Sequence, residues 1–143
     1  MQPIHFEEVL LKIVERDPRF HRDAYLFLRE ALEYTQRTIT KAKRDEVRHV
    51  TGQELLDGIR RYAIEQFGPM AATVLEEWGV RTCLNFGEMV FNMIEFNLLA
   101  KTETDRLDDF KSGYDFHDAF RKPFMPTPKP SMSEVESVKA VNE

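Results

Sequence analysis

The chain holds one cysteine, six glycines and more acid than base, and it lacks any apolar run of the about 20 residues that cross a membrane as a helix. With Cys83 alone, no intrachain disulfide forms, and a reducing cytoplasm suits the protein. Lying between Thr82 and Leu84, Cys83 fits a small core residue better than a nucleophile. The glycines punctuate helices; none belongs to a GxSxG elbow, a phosphate-cradling loop or a dinucleotide fingerprint. Twenty Lys and Arg against 25 Asp and Glu leave a net charge of -5 and a pI near 5.5, so no diffuse positive field draws in phosphates or anionic lipids. The opening MQPIHFEEVL has neither the basic region nor the apolar stretch of a secretory signal. A soluble cytoplasmic protein is expected.

What is present is helical. A chain of 143 residues is a common size for one domain and buries about 68% of the surface its unfolded form exposes. Phe6, Val9, Leu10, Ile13 and Val14 recur at helical spacing and predict a first helix over 5–15. Asp17-Pro18 stops it and is expected to start the next, with Asp17 as cap and Pro18 in the first turn. That second helix should run to about 39, burying Phe20, Ala24, Phe27, Leu28, Ala31, Leu32 and Thr35, with Tyr25 and Tyr34 at its margins.

Thr51 and Glu54 have capping-box spacing and predict a third helix from 52 or 53, with Leu55, Leu56, Ile59, Ala63 and Phe67 inward. Gly68 ends it, Pro69 starts the next, and Gly79 ends that one with Val80 placed for the apolar contact behind a glycine cap. Asn85, three residues before Glu88, is expected to cap a central helix that is apolar except for the stripe Asn85, Glu88, Asn92 and Glu95. Beyond it, 102–106 reads as a turn, and Phe110, Tyr114, Phe116 and Phe120 bring the chain back to the core as a β-hairpin or extended arm.

The expected fold is therefore mainly α. Two N-terminal helices pack on a three-helix, winged-helix-like unit with a small hairpin or arm, in one domain over 1–122. The segment 123–143 contains four prolines and few apolar anchors, and is expected to be a flexible tail. Within it SEVESVKAV carries Val135, Val138 and Val141 at every third position, the pattern of a short amphipathic helix that could lie on a partner.

The segments GQELLDGIRRYAIEQFGPMAATVLEEWGV, NFGEMVFNMIEFNLLAKTETD and DFKSGYDFHDAF together resemble an uncharacterised small-protein family restricted to Planctomycetes and Verrucomicrobia, over about residues 5–122. The resemblance implies a bacterial, cytoplasmic context. It carries no activity, substrate or catalytic residue.

A winged-helix order raises DNA reading, in which the third helix of the unit enters the major groove. Its wet stripe would then need Arg, Lys, Asn or Gln against the phosphates and base edges. Glu88 and Glu95 stand there instead, with no Lys or Arg between Arg81 and Lys101. Glu103, Asp105, Asp108 and Asp109 outnumber Lys101, Arg106 and Lys111 on the would-be wing. The nucleic-acid alternative therefore rests on the basic stretch Arg37, Lys41, Lys43, Arg44 and Arg48. Asp45 and Glu46 partly neutralise it, and it has no interleaved aromatics on which bases stack.

His5, His21, His49 and His117 form no His-x3-His pair and no cluster with the cysteine. Asp45 with His49, and Asp115 with His117, have the spacing of ordinary surface pairs. Asp105, Asp108 and Asp109 lack the glycine and terminal glutamate of a calcium loop. No metal, cofactor or catalytic residue is expected, and an enzyme of unrecognised type is a second alternative. Eleven phenylalanines and Trp78 are many for this length. They point to a non-enzymatic protein-interaction or regulatory module, binding another protein or itself, with Asn85, Glu88, Asn92 and Glu95 as the candidate contact stripe.

Overall fold

The computed structural model describes residues 3–42, 50–99, 107–111 and 113–126, with side chains described from Phe6 to Ile39 in the first of these stretches. Among these residues are five α-helices: α1 (Pro3–Arg16), α2 (Arg22–Ala42), α3 (Gly52–Phe67), α4 (Ala71–Glu77) and α5 (Cys83–Glu95). The apolar spacing expected of α1 holds, since Leu10 and Ile13 are fully enclosed and Phe6 and Val9 nearly so. Every position assigned to the inner face of α2 is buried except Leu32, which is half-buried.

The longest seam runs between α2 and α3. Gly58 makes the close approach possible, because a Cβ there would run into the Thr35 side chain. Thr35 is itself enclosed and donates its hydroxyl to the Ala31 carbonyl at 2.7 Å, so its one polar group is satisfied inside the seam.

The glycine punctuation of the middle of the chain is as expected. Gly68 closes α3 at φ 53°, and its N–H donates to the Ile64 carbonyl. Gly79, at φ 89°, follows α4, with Gly79 N–H to the Glu76 carbonyl and Val80 N–H to the Leu75 carbonyl, both at 2.9 Å. That is the paired-bond arrangement of a glycine C-cap, and Val80 is fully buried behind it. Pro69 sits in a three-residue 3-10 turn, and α4 proper begins only at Ala71.

Two helix starts differ from expectation. Helix α2 starts at Arg22 and not at Asp17-Pro18, because the Asp17 carboxylate is engaged by Arg19 and Asn92; the His21 ring Nδ1 instead accepts from the Asp23 N–H at 2.9 Å. The cap of α5 is Thr82, one turn before Asn85: the Thr82 hydroxyl accepts from the Asn85 N–H, and the Asn85 side chain accepts from the Thr82 N–H. Helix α5 stops at Glu95, where Asn97 takes a left-handed φ of 64° and Leu98 N–H reaches back to the Met93 carbonyl at 2.8 Å. Asparagine tolerates that conformation, and does here what Gly79 does after α4.

The returning aromatic arm is helical where a hairpin was expected. No strand occurs among the described residues. Leu107–Phe110 is a 3-10 turn, His117–Arg121 a π-helical turn and Lys122–Phe124 a second 3-10 turn. The expected turn at 102–106 lies outside the described residues. A strand pairs its backbone with a neighbour, whereas this arm bonds locally, as in Ala119 N–H to the Asp115 carbonyl at 2.9 Å. Its aromatics do return to the core. Phe110 and Phe120 are buried, and Tyr114 donates its hydroxyl to the Leu56 carbonyl of α3 at 2.7 Å. Of the expected tail, residues 123–126 are described and continue the arm; 127–143 lie outside the described residues.

Candidate functional site

The stripe Asn85, Glu88, Asn92 and Glu95 does lie along one side of α5, and that side meets the corner between α1 and α2. Arg16, the last residue of α1, donates to the Glu95 carboxylate at 2.7 Å and to the Asn92 side-chain oxygen at 3.3 Å. Arg19 forks onto both Asp17 oxygens at 2.8 Å each and extends to Glu88 at 3.2 Å. The Asn92 amide donates at 3.0 Å to Asp17 and at 3.0 Å to the hydroxyl of Tyr25, a residue fully buried although its sequence position suggested a margin. Asn85 completes the row by capping α5 and donating to Glu88 at 3.0 Å.

Each stripe residue thus has intramolecular partners, and the four act as a polar staple between α5 and the α1–α2 corner. Electrostatics follow the geometry. The Arg19 fork, with help from Asn92, holds the Asp17 carboxyl far below the usual carboxylate range, and Asp17 and Glu88 hold Arg19 firmly charged. Arg16 lowers Glu95 in the same sense, at a site too exposed for that pair to add much stability. Sequence reading found the stripe and missed the residues facing it. Arg16, Asp17 and Arg19 flank a proline at a helix end, which was the available signal.

The concave feature lies elsewhere, on the far side of α5. A cavity of about 290 Å³ opens between the second half of α2, the start of α3 and the second half of α5. Leu32, Glu33 and Gln36 form the α2 wall, and Val50, Thr51, Gly52 and Leu55 lead into α3. Val90, Phe91 and Ile94 form the α5 wall, continued by Leu99, with Phe110 closing the bottom. The lining is mostly apolar. Its polar members are committed: the Thr51 hydroxyl caps α3 at Glu54 N–H, and Glu33 stands 3.7 Å from Arg29.

Two glycines shape the floor. A Cβ at Gly87 would come within 2.6 Å of the Phe110 ring and one at Gly52 within 3.0 Å of Asp109, so Phe110 can lie flat against α3 and α5 only because both positions are bare. The cavity therefore owes its depth to the 107–110 turn packing behind it.

No known family model, curated protein or solved structure matches the chain. Its chemistry is read from its own residues.

Cys83 is buried and donates its thiol to the Tyr114 carbonyl at 3.3 Å; burial pushes its pKa up, away from the thiolate a nucleophile needs. Burial likewise raises the Tyr114 phenol, and Gly113 allows the arm to pass against the sulfur, since a Cβ there would come within 2.5 Å of it. Asp115, paired with His117 on the sequence, uses its carboxylate to accept the Asp118 N–H at 3.2 Å. Among the described residues no three His, Cys, Asp or Glu side chains gather as a metal site. No described helix is long and apolar enough to cross a membrane.

Of the basic stretch, Arg37 is exposed on α2, while the Lys41 side chain and Lys43, Arg44 and Arg48 lie outside the described residues. The aromatic surplus is mostly consumed by the core: Phe124 is the one exposed phenylalanine of the eleven, at 39%. Trp78, Phe67, Phe27 and Tyr62 form a chain of rings with centroids 5.5 to 5.8 Å apart along α2, α3 and α4.

Proposed function

We propose that this protein is a non-enzymatic interaction module that takes an apolar segment of another protein into the α2–α3–α5 cavity. The observation that carries this reading is the contrast between the two sides of α5. The polar side is satisfied inside the chain, whereas the opposite side lines a mostly apolar cavity of about 290 Å³ with half-buried Leu32, Phe91, Ile94 and Leu99 at its walls. Apolar lining that stays accessible marks a binding surface more often than a core defect. An amphipathic helix laid into a groove needs this kind of site.

The contact surface assigned to Asn85, Glu88, Asn92 and Glu95 is thereby moved to the other face of the same helix. The winged-helix proposal keeps the order α3, α4, α5 but gains no support as a DNA reader, since Asn85 and Asn92, the amides that would meet base edges, are spent on capping and on Asp17. Membership of the Planctomycete and Verrucomicrobial family, a cytoplasmic setting and a single domain over 1–122 are parts of the same proposal.

The test is capture of partners from native cytoplasm with and without nuclease, comparing the wild type with Leu32→Glu and Ile94→Glu on the two cavity walls. Leu11→Glu, at a side chain 56% exposed on α1, serves as control. The proposal expects a nuclease-resistant partner that both wall variants lose and the control keeps, with circular dichroism unchanged. Equal capture by all four proteins overturns it, and capture that vanishes with nuclease favours the 37–48 stretch on nucleic acid.

A further inference from the structure

The α2–α3–α5 cavity has a size and a polarity that also select a small molecule. We infer that it is a ligand site for a small amphiphile, with an apolar body of about eight to ten carbons and an uncharged or basic head, and that this ligand competes with the partner. Occupancy stands on the cavity alone; the competition rests on the cavity being the interaction surface.

Three observations meet here. The first is size. A cavity of about 150 Å³ lined by Leu, Ile and Phe stays dry and takes up one benzene ring. The volume here, about 290 Å³, is close to twice that, which gives room for two rings or a chain of about eight to ten carbons. A helix is about 10 Å across with its side chains, so a partner enters by side chains only, whereas a molecule of this size fits whole.

The second is depth. Val50, Leu55 and Phe110 are only 4–7% exposed, and half-buried Leu32, Phe91 and Ile94 stand around them. The Phe110 ring is seated against Gly52 and Gly87, where a Cβ would come within 3.3 and 2.6 Å of it, and this leaves the volume above the ring open. Walls with no atoms opposite them forfeit dispersion contacts that an apolar body restores.

The third is charge. Glu33 is the one charged side chain among the described residues that line the cavity, and Gln36 follows on the same face of α2. Arg29 stands 3.7 Å from Glu33 but lies over the Phe6 ring of α1 and does not line the cavity. A hydroxyl or amine head therefore meets acceptors at this edge, while a carboxylate head meets the wrong sign and no lining cation.

The experiment titrates the full chain, methyl-labelled for NMR, with octanol, octylamine and octanoate at neutral pH, and with butanol and dodecanol as length controls. The inference expects octanol to move the methyl signals of Leu55, Val90, Ile94 and Leu99 saturably while those of Ile13 and Leu75 stay. Affinity should rise at least about tenfold from butanol to octanol and level off by dodecanol, when the cavity is full. Octylamine should bind at least about threefold tighter than octanoate, and Glu33→Lys, at an exposed side chain, should reverse that order. Ile94→Phe and Leu32→Phe, which add bulk to two walls, should each weaken octanol binding at least about tenfold with circular dichroism unchanged.

Unmoved cavity signals overturn the inference. So do shifts that spread to Ile13 and Leu75, or affinity that keeps climbing to dodecanol, since both mark nonspecific adsorption. The same preference between the two ions in Glu33→Lys overturns the assigned head group. If saturating octanol moves the signals yet leaves the captured partner in place, the ligand site stands and the competition fails together with the interaction reading. If the signals stay while Ile94→Glu still loses the partner, the ligand inference alone fails.

Discussion

Asn92 is the residue on which the polar staple turns. It donates to Asp17 and Tyr25 and accepts from Arg16, and Tyr25 is fully enclosed. Replacing it with leucine, of similar size, takes the Asn92 donor from the enclosed Tyr25 hydroxyl, while Asp17 keeps the Arg19 fork. Loss of such a partner costs about 1–3 kcal/mol, and chemical denaturation should show a drop of that size. Asp17 adds a pH signature. Its folded-state pKa lies below its unfolded one, so its contribution is complete above about pH 4 and fades as pH falls toward the folded value. Asp17→Asn should therefore be less stable at neutral pH and should lose stability less steeply on acidification below about pH 4. Parallel acid limbs would show that the carboxylate contributes nothing.

The two left-handed glycines separate two costs. Alanine at Gly68 faces open space and carries only backbone strain, about 1–3 kcal/mol for its φ of 53° and ψ of -132°. Alanine at Gly79 adds a collision with the Arg19 carbonyl. Thermal melts should rank Gly79→Ala as the more damaging substitution.

At the scale of elements, helix ends were the most legible feature of the sequence. The capping box of Thr51 and Glu54 is present as spaced, with both bonds at 3.0 to 3.1 Å. The same logic with asparagine at the third position governs Thr82 and Asn85, which is why Asn85 resembled a cap: it belongs to the box as its inner member. Thr51→Ala and Thr82→Ala should each cost about 0.5–2 kcal/mol, measured by urea titration. A negligible loss at Thr82 would mean that Asn85 alone holds the end of α5.

Two elements escaped the sequence for different physical reasons. The Asp17-Pro18 pair suggested a helix start because Asp and Pro favour one, but Arg19 and, from α5, Asn92 take up the carboxylate. The arm at 107–124 suggested a hairpin because its aromatics recur closely, yet local helical bonds satisfy its backbone without any partner strand. The first outcome involves Asn92, 75 positions away, which periodicity does not sense; the second follows from bonds within the arm itself.

At the scale of the whole molecule, the aromatic surplus is a matter of packing more than of surface. Most of the rings are spent on the core, and the accessible apolar lining belongs to leucine, isoleucine and valine on α2, α3 and α5 with Phe91 among them. No sequence spacing announces that cavity. It forms where three helices diverge and Phe110 packs against two glycines, so its residues come from four separate segments.

The central claim is that this cavity is the protein's interaction surface. Its most direct test is a titration of the purified partner against wild type, Ile94→Glu and Leu11→Glu at matched thermal stability. The account predicts binding at least tenfold weaker for Ile94→Glu, a loss of about 1.4 kcal/mol or more, with Leu11→Glu unchanged. Equal affinity for all three would contradict it.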